Sequence, residues 1–230
     1  MRPEKLIGLL AVLLSGAFAQ APPDIAEILK KVSDTYKGVS QYELVLDQTE
    51  PPRRNNPPER THVRVAFKAP NQYRMEGTGS GSAGDDPILE EMIIVDNGST
   101  LWFYLPRSNQ YGSLSADEAA ADIEWSAHTP EATDRVAVEK YREAAQYSNG
   151  AKLLREEEIE FAGAKVSCYV ISVPEKAPGP YTWWVDKHSY RVLREASANG
   201  TTEYTSVSLG EPLPDSLFQF VPPPGAQKLD

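Results

Sequence analysis

Residues 90–114 constrain the fold more than any other stretch of the chain. Two runs rich in β-branched and aromatic residues, 92–95 and 101–105, flank Asp96-Asn97-Gly98. Those three residues tolerate the backbone conformations of a tight reversal, so the pattern predicts a β-hairpin. Along its second strand, alternation places Leu101, Phe103 and Leu105 on one face and Trp102 and Tyr104 on the other. Neither face suits water. A sheet built on this hairpin must be covered on both sides, either by ordinary core packing or by core on one side and an apolar ligand cavity on the other.

The flanking sequence supplies the rest of such a sheet. Ile25, Ile28, Leu29, Val32 and Tyr36 repeat at helical spacing behind Pro22-Pro23-Asp24 and stop before Gly38, which predicts an amphipathic helix. Strands are expected over 41–48, 62–67 and 72–76, with the proline-rich 50–59 as a hairpin loop whose Arg53 and Arg54 are solvated. Beyond the central hairpin, 115–124, with Ser115 as cap, and 130–147 suit helices with weak apolar stripes. Such inserts read equally as a movable lid or as fixed sheet-covering helices. Strands resume over 153–161, 166–174, 181–186, 190–196 and 202–209. The expectation is a mainly β (α+β) chain with one large, strongly curved or closed antiparallel sheet in a single domain over 20–230.

Composition narrows the function. A formal charge of −10 argues against nucleic acid, which needs clustered Lys and Arg, and against resting on an anionic membrane surface. Gly79-Ser80-Gly81-Ser82-Ala83-Gly84 matches G-x-G-x-x-G, but Asp85-Asp86-Pro87 follow where a pyrophosphate would need a helix N-terminus. The segment is read instead as a flexible linker between strands. His62, His128 and His188 are scattered, and the runs Glu90-Glu91 and Glu156-Glu157-Glu158 alternate between faces. No nucleophile with a base, paired carboxylates or metal-ligand spacing emerges, so the chain is expected to be no enzyme and to carry no cofactor or metal. Cys168 is the only cysteine, which excludes an internal disulfide and suggests a buried, unreactive thiol.

The N-terminus carries an export address. Arg2 and Lys5 precede an apolar run over 6–14, and Ala17-Phe18-Ala19 supplies the small residues of a signal-peptidase site. Residues 1–19 are expected to be a signal peptide, leaving Gln20 first.

Three segments resemble the periplasmic outer-membrane lipoprotein carrier proteins and their relatives, the LolA-like superfamily. They are Ile94-Val95-Asp96-Asn97-Gly98 with Leu101-Trp102-Phe103-Tyr104-Leu105-Pro106, then Tyr181-Thr182-Trp183-Trp184-Val185-Asp186-Lys187 with Arg191-Val192-Leu193-Arg194-Glu195, and the ending Phe218-Gln219-Phe220-Val221-Pro222-Pro223-Pro224-Gly225. The resemblance implies a periplasmic monomer, an unclosed β-barrel of about eleven antiparallel strands with an N-terminal helix and helical lid inserts, and a cavity for acyl chains of a lipoprotein or lipid. It implies either a carrier, served by an inner-membrane export complex or an outer-membrane receptor, or an envelope-stress sensor that binds a membrane-protein partner. Trp102, Phe103, Tyr104, Trp183 and Trp184 are the candidate apolar lining, since rings offer large contact area to chains of variable shape. The family's lid-holding arginine is replaced here by Ala69, with Arg74 as a candidate substitute.

Overall fold

The computed structural model describes residues 23–52, 58–83, 86–121, 135–174 and 180–229. The expected signal peptide, Arg53 and Arg54, and residues 122–134 of the helical inserts lie outside them.

Helix α1 (Ile25–Tyr36) starts where the Asp24 carboxylate accepts from the Ala26 N–H at 3.1 Å, and buries Ile28, Leu29, Val32 and Tyr36. These are the positions its 3.6-residue apolar period predicts. Twelve strands follow: β1 (Gln41–Thr49), β2 (Arg60–Lys68), β3 (Gln72–Ala83), β4 (Asp86–Asp96), β5 (Thr100–Leu105), β6 (Gln110–Ser115), β7 (Lys152–Phe161), β8 (Ala164–Val173), β9 (Tyr181–Asp186), β10 (Val192–Ser197), β11 (Gly200–Leu209) and β12 (Gln227–Lys228). They form one sheet in the order β12-β6-β5-β4-β3-β2-β1-β11-β10-β9-β8-β7. Every pairing is antiparallel except β12 on β6. The sheet does not close, and it curls enough to bring β7 into contact with β11. No described helix is long and apolar enough to cross a membrane.

Departures from the expected elements have local causes. The glycine-rich linker is instead strand: 79–83 continue β3 and pair with β4 as far as Ala83 opposite Asp86. Glycine has no strand preference of its own, but its partner strand supplies the hydrogen bonds. The helix expected over 130–147 is, in its described part, a broken run of π (Arg135–Glu139), α (Lys140–Arg142) and 3-10 (Ala144–Ser148) turns. Helix α2 (Ala116–Ala121) begins on a capping box, in which the Glu118 carboxylate accepts from the Ser115 N–H at 2.8 Å and the Ser115 hydroxyl accepts from the Glu118 N–H at 3.2 Å. Strands β6 and β12 are additions that the sequence reading did not separate.

Alternation splits the sheet into two faces. The inner face carries Tyr42, Leu44 and Leu46 of β1, Val65 and Phe67 of β2, Tyr73 of β3, and Ile94 of β4, and it merges with the buried face of α1 in the main core. The outer face of β2 to β6 has a second, smaller core. Ala66, Val95 and Phe218 are buried but lie outside the main cluster. Phe220 adds rings at 5.6 Å from Tyr111, 6.2 Å from Tyr104 and 6.3 Å from Trp102. The Phe-x-Phe ending therefore covers the outer face, and β12 then seals the edge of β6, with the Leu229 N–H donating to the Tyr111 carbonyl at 2.7 Å.

Candidate functional site

The inner face is not filled evenly. In one cross-strand row Val65, Met75 and Ile94 stand side by side on β2, β3 and β4. In the next row outward the trio is Val63, Gly77 and Met92, and beyond it Thr61 faces Gly79. Where the middle member becomes glycine, the side chain that would fill the space is missing. A cavity of about 890 Å³ opens there. Val63, Met75, Met92 and Leu105 give it half-buried apolar walls, while Gln48, Arg107 and Ser108 lie exposed at its mouth. A Cβ added at Gly77 meets no atom within 4 Å, so the glycine opens onto empty space. Apart from Met1, Met75 and Met92 are the chain's only methionines. Flexible thioether side chains suit a wall that must fit guests of variable shape.

The five rings expected to line a cavity occupy other environments, and none is among the described residues that line this one. Trp102 and Tyr104 face outward beneath Phe220. Phe103 faces inward and lies across Gly112, where a Cβ would sit 2.3 Å from the ring. Trp183 is buried under the helical turns, with Tyr141 and Tyr147 edge-on at 5.1 and 5.9 Å. Trp184 points to the opposite face, below the guanidinium groups of Arg194 and Arg155 at 5.3 and 6.0 Å.

Ala69 is exposed in the β2–β3 turn, and its N–H donates to the Ser40 carbonyl at 2.7 Å. Arg74 is held on the outer face, donating to Glu76 at 2.7 Å and to the Leu217 carbonyl of the C-terminal segment at 3.3 Å. It therefore ties down the ending, on the side of the sheet away from the helical turns.

Residues that the sequence reading passed over fasten those turns to the sheet. Arg142 donates to the Val39 carbonyl at 2.8 Å, and the Ser33 hydroxyl of α1 donates to the Arg142 carbonyl. Below them Lys140 and Tyr141 both donate to Glu195 of β10, and the Tyr36 hydroxyl accepts from the Val192 N–H at 3.0 Å. Burial pushes the Tyr36, Tyr141 and Tyr204 hydroxyls above the usual phenol range, with the Glu195 charge adding to it. Lys-Tyr-Arg on one helical turn was the available signal, but its acidic partner lies 55 residues away in sequence.

At the hairpin, Asp96 is buried, and burial raises its carboxyl despite the Gly98 N–H donating to it at 2.7 Å. Cys168 is fully buried and its thiol is pushed up to about 12, chiefly by burial and then by the Asp186 charge.

No family model matches the chain. It is 24% identical over 233 aligned positions to an uncharacterized protein of Methanocaldococcus jannaschii, covering 95% of this chain and 57% of that protein. It is 28% identical over 107 residues to the outer-membrane lipoprotein carrier protein of Actinobacillus pleuropneumoniae, covering 46% of this chain and 44% of that protein. The chain thus spans about half the length of these relatives. Among solved structures, LprF from Mycobacterium bovis superposes with a TM-score of 0.51 at 16% identity, covering 84% of this chain and 96% of that one. The chain is therefore similar in fold to LprF and in part of its sequence to an outer-membrane lipoprotein carrier, the family that its central hairpin and its Phe-x-Phe-x-Pro-Pro-x-Gly ending resemble.

Proposed function

We propose that this protein is an exported, periplasmic carrier that shelters the acyl chain of a lipoprotein or lipid in the glycine-opened cavity. The observation that carries the reading is the row Val63, Gly77 and Met92, where an unfilled position on the apolar face of an unclosed sheet leaves about 890 Å³. That volume lies within the roughly 300–1,000 Å³ of sites that enclose small ligands. The wall is apolar and the polar groups stand at the mouth, the arrangement an amphiphile needs. The partial likeness to a lipoprotein carrier and the signal-like N-terminus support the same reading.

A fluorescent acyl probe should bind saturably and be displaced by an unlabelled fatty acid. Gly77→Phe should occupy part of the cavity and weaken binding, while leaving the far-UV circular dichroism and thermal midpoint near wild type, because a Cβ at this position meets no atom within 4 Å. Absence of saturable binding to the wild-type chain, or undiminished binding to Gly77→Phe, would overturn the assignment.

A further inference from the structure

We infer that the cavity selects amphiphiles with an anionic head, and that Arg107 reads the head while the apolar wall holds the tail. This rests on the carrier reading and adds the ligand's charge to it. The side chains at the mouth are Gln48, Thr61, Arg107 and Ser108, together with Glu91. Glu91 pairs with Thr78, one position out of step with the inward pair Gly77 and Met92, so its register places it on the outer face. It also lines a separate outer depression with Arg64 and Glu76. Among the described side chains at the mouth, Arg107 supplies the positive charge, beside neutral hydrogen-bonding groups and with the Glu91 carboxylate registered to the outer face.

Most of the chain's basic side chains near the sheet are already engaged. Arg64 bonds Glu43, Arg74 bonds Glu76, Lys68 bonds Asp215 and Arg194 bonds Glu203. Arg107 makes no ion pair or side-chain hydrogen bond to a described residue. Its five N–H donors are free for a ligand, and their fork suits a phosphate or carboxylate. Arg107 is exposed and lies at the cavity, in the turn that follows Leu105. It places an acceptor-bearing head at the β5–β6 turn and directs the tail along Leu105 toward Met92 and Met75.

The test is calorimetric titration, below micelle-forming concentrations, with amphiphiles of one tail length. The probes are dodecyl phosphate, dodecyl maltoside, dodecyltrimethylammonium and, without a tail, inorganic phosphate. Dodecyl phosphate should bind roughly fivefold tighter than the maltoside at low salt, as an exposed ion pair gives, and the advantage should shrink as salt rises. Inorganic phosphate alone should not bind measurably. Arg107→Gln should remove the phosphate preference while keeping maltoside affinity, and Arg107→Glu should rank the ammonium head first. If amphiphiles bind and Gly77→Phe weakens their binding, but Arg107→Glu leaves the head-group ranking unchanged, the Arg107 assignment falls and the carrier reading stands. If no tailed probe binds the wild-type chain, both fall together.

Discussion

Lys140 donates to the Glu195 carboxylate at 2.7 Å, and Tyr141 donates to the same carboxylate at 3.1 Å. A carboxylate only accepts, so the single Tyr141 proton is committed to it. Tyr204, 3.0 Å away, must then be the donor to the Tyr141 oxygen. Glu195 is 9% exposed and Lys140 22%, so each charge depends on the other. Glu195→Ala should cost about 3 kcal/mol by stranding Lys140 and leaving Tyr141 without its acceptor. Lys140→Met with Glu195→Gln should recover most of that loss, because the amide oxygen still accepts from Tyr141 and no charge stays buried. Urea denaturation of the three proteins checks the order.

Arg142 ties the helical turns to the connection between α1 and β1. It bonds the Val39 carbonyl, one residue before the Ser40 carbonyl that accepts from Ala69. Removing a charged hydrogen bond of about 1.5 kcal/mol should raise amide exchange over 137–148 roughly tenfold in Arg142→Ala and leave the sheet unaffected. Adding Ala69→Arg to that variant should restore protection in part. Hydrogen exchange read by mass spectrometry separates the two outcomes.

Alkaline pH should destabilise the fold. Cys168, Tyr36, Tyr141 and Tyr204 all have folded-state pKa values raised by burial, so the folded chain holds protons that the unfolded chain releases. Stability is fully present below the unfolded-state values of about 8.5 for a thiol and about 10 for a phenol, and falls as pH climbs past them. Thermal midpoints should hold steady from neutrality to about pH 8 and drop progressively above it. The native thiol should resist a disulfide reagent at pH 8 and react on unfolding.

The C-terminal cover is separable from the main core. Phe218 is fully buried, and Phe218→Ala should cost about 3–5 kcal/mol. Phe220 is half-buried among three rings, so Phe220→Ala should cost less, about 1–2 kcal/mol, and alter the fluorescence of Trp102. Acyl-probe affinity should survive Phe220→Ala, since the ring lies on the face opposite the cavity.

The central hairpin was legible because its chemistry is local. Asp96 accepts from the Gly98 N–H, and Asn97 accepts from the Ser99 and Thr100 N–H groups at 3.0 and 3.1 Å, all within three residues. The alternation of Leu101, Trp102, Phe103 and Tyr104 was legible too, but not which set faces inward. That choice is made by Phe218 and Phe220, more than a hundred positions later in the sequence. Rings are what a sequence offers as a visible lining, whereas this cavity opens at Gly77 and Gly79, which have no side chains at all. A missing group leaves no hydrophobic signal, and a run of glycine and serine reads as linker until its partner strand is known.

The two margins of the sheet differ. At one margin the chain lays its own tail, β12, along β6. At the other, β7 pairs with no strand but β8 among the described residues, and it is interrupted where Leu154, 50% exposed, bulges out of register between Leu153 and Arg155. A sheet with two bare margins can add neighbours without limit and grow into a fibre. With one margin occupied by its own chain, growth by edge pairing stops at two copies, and the bulge and the glutamates along β7 oppose even that.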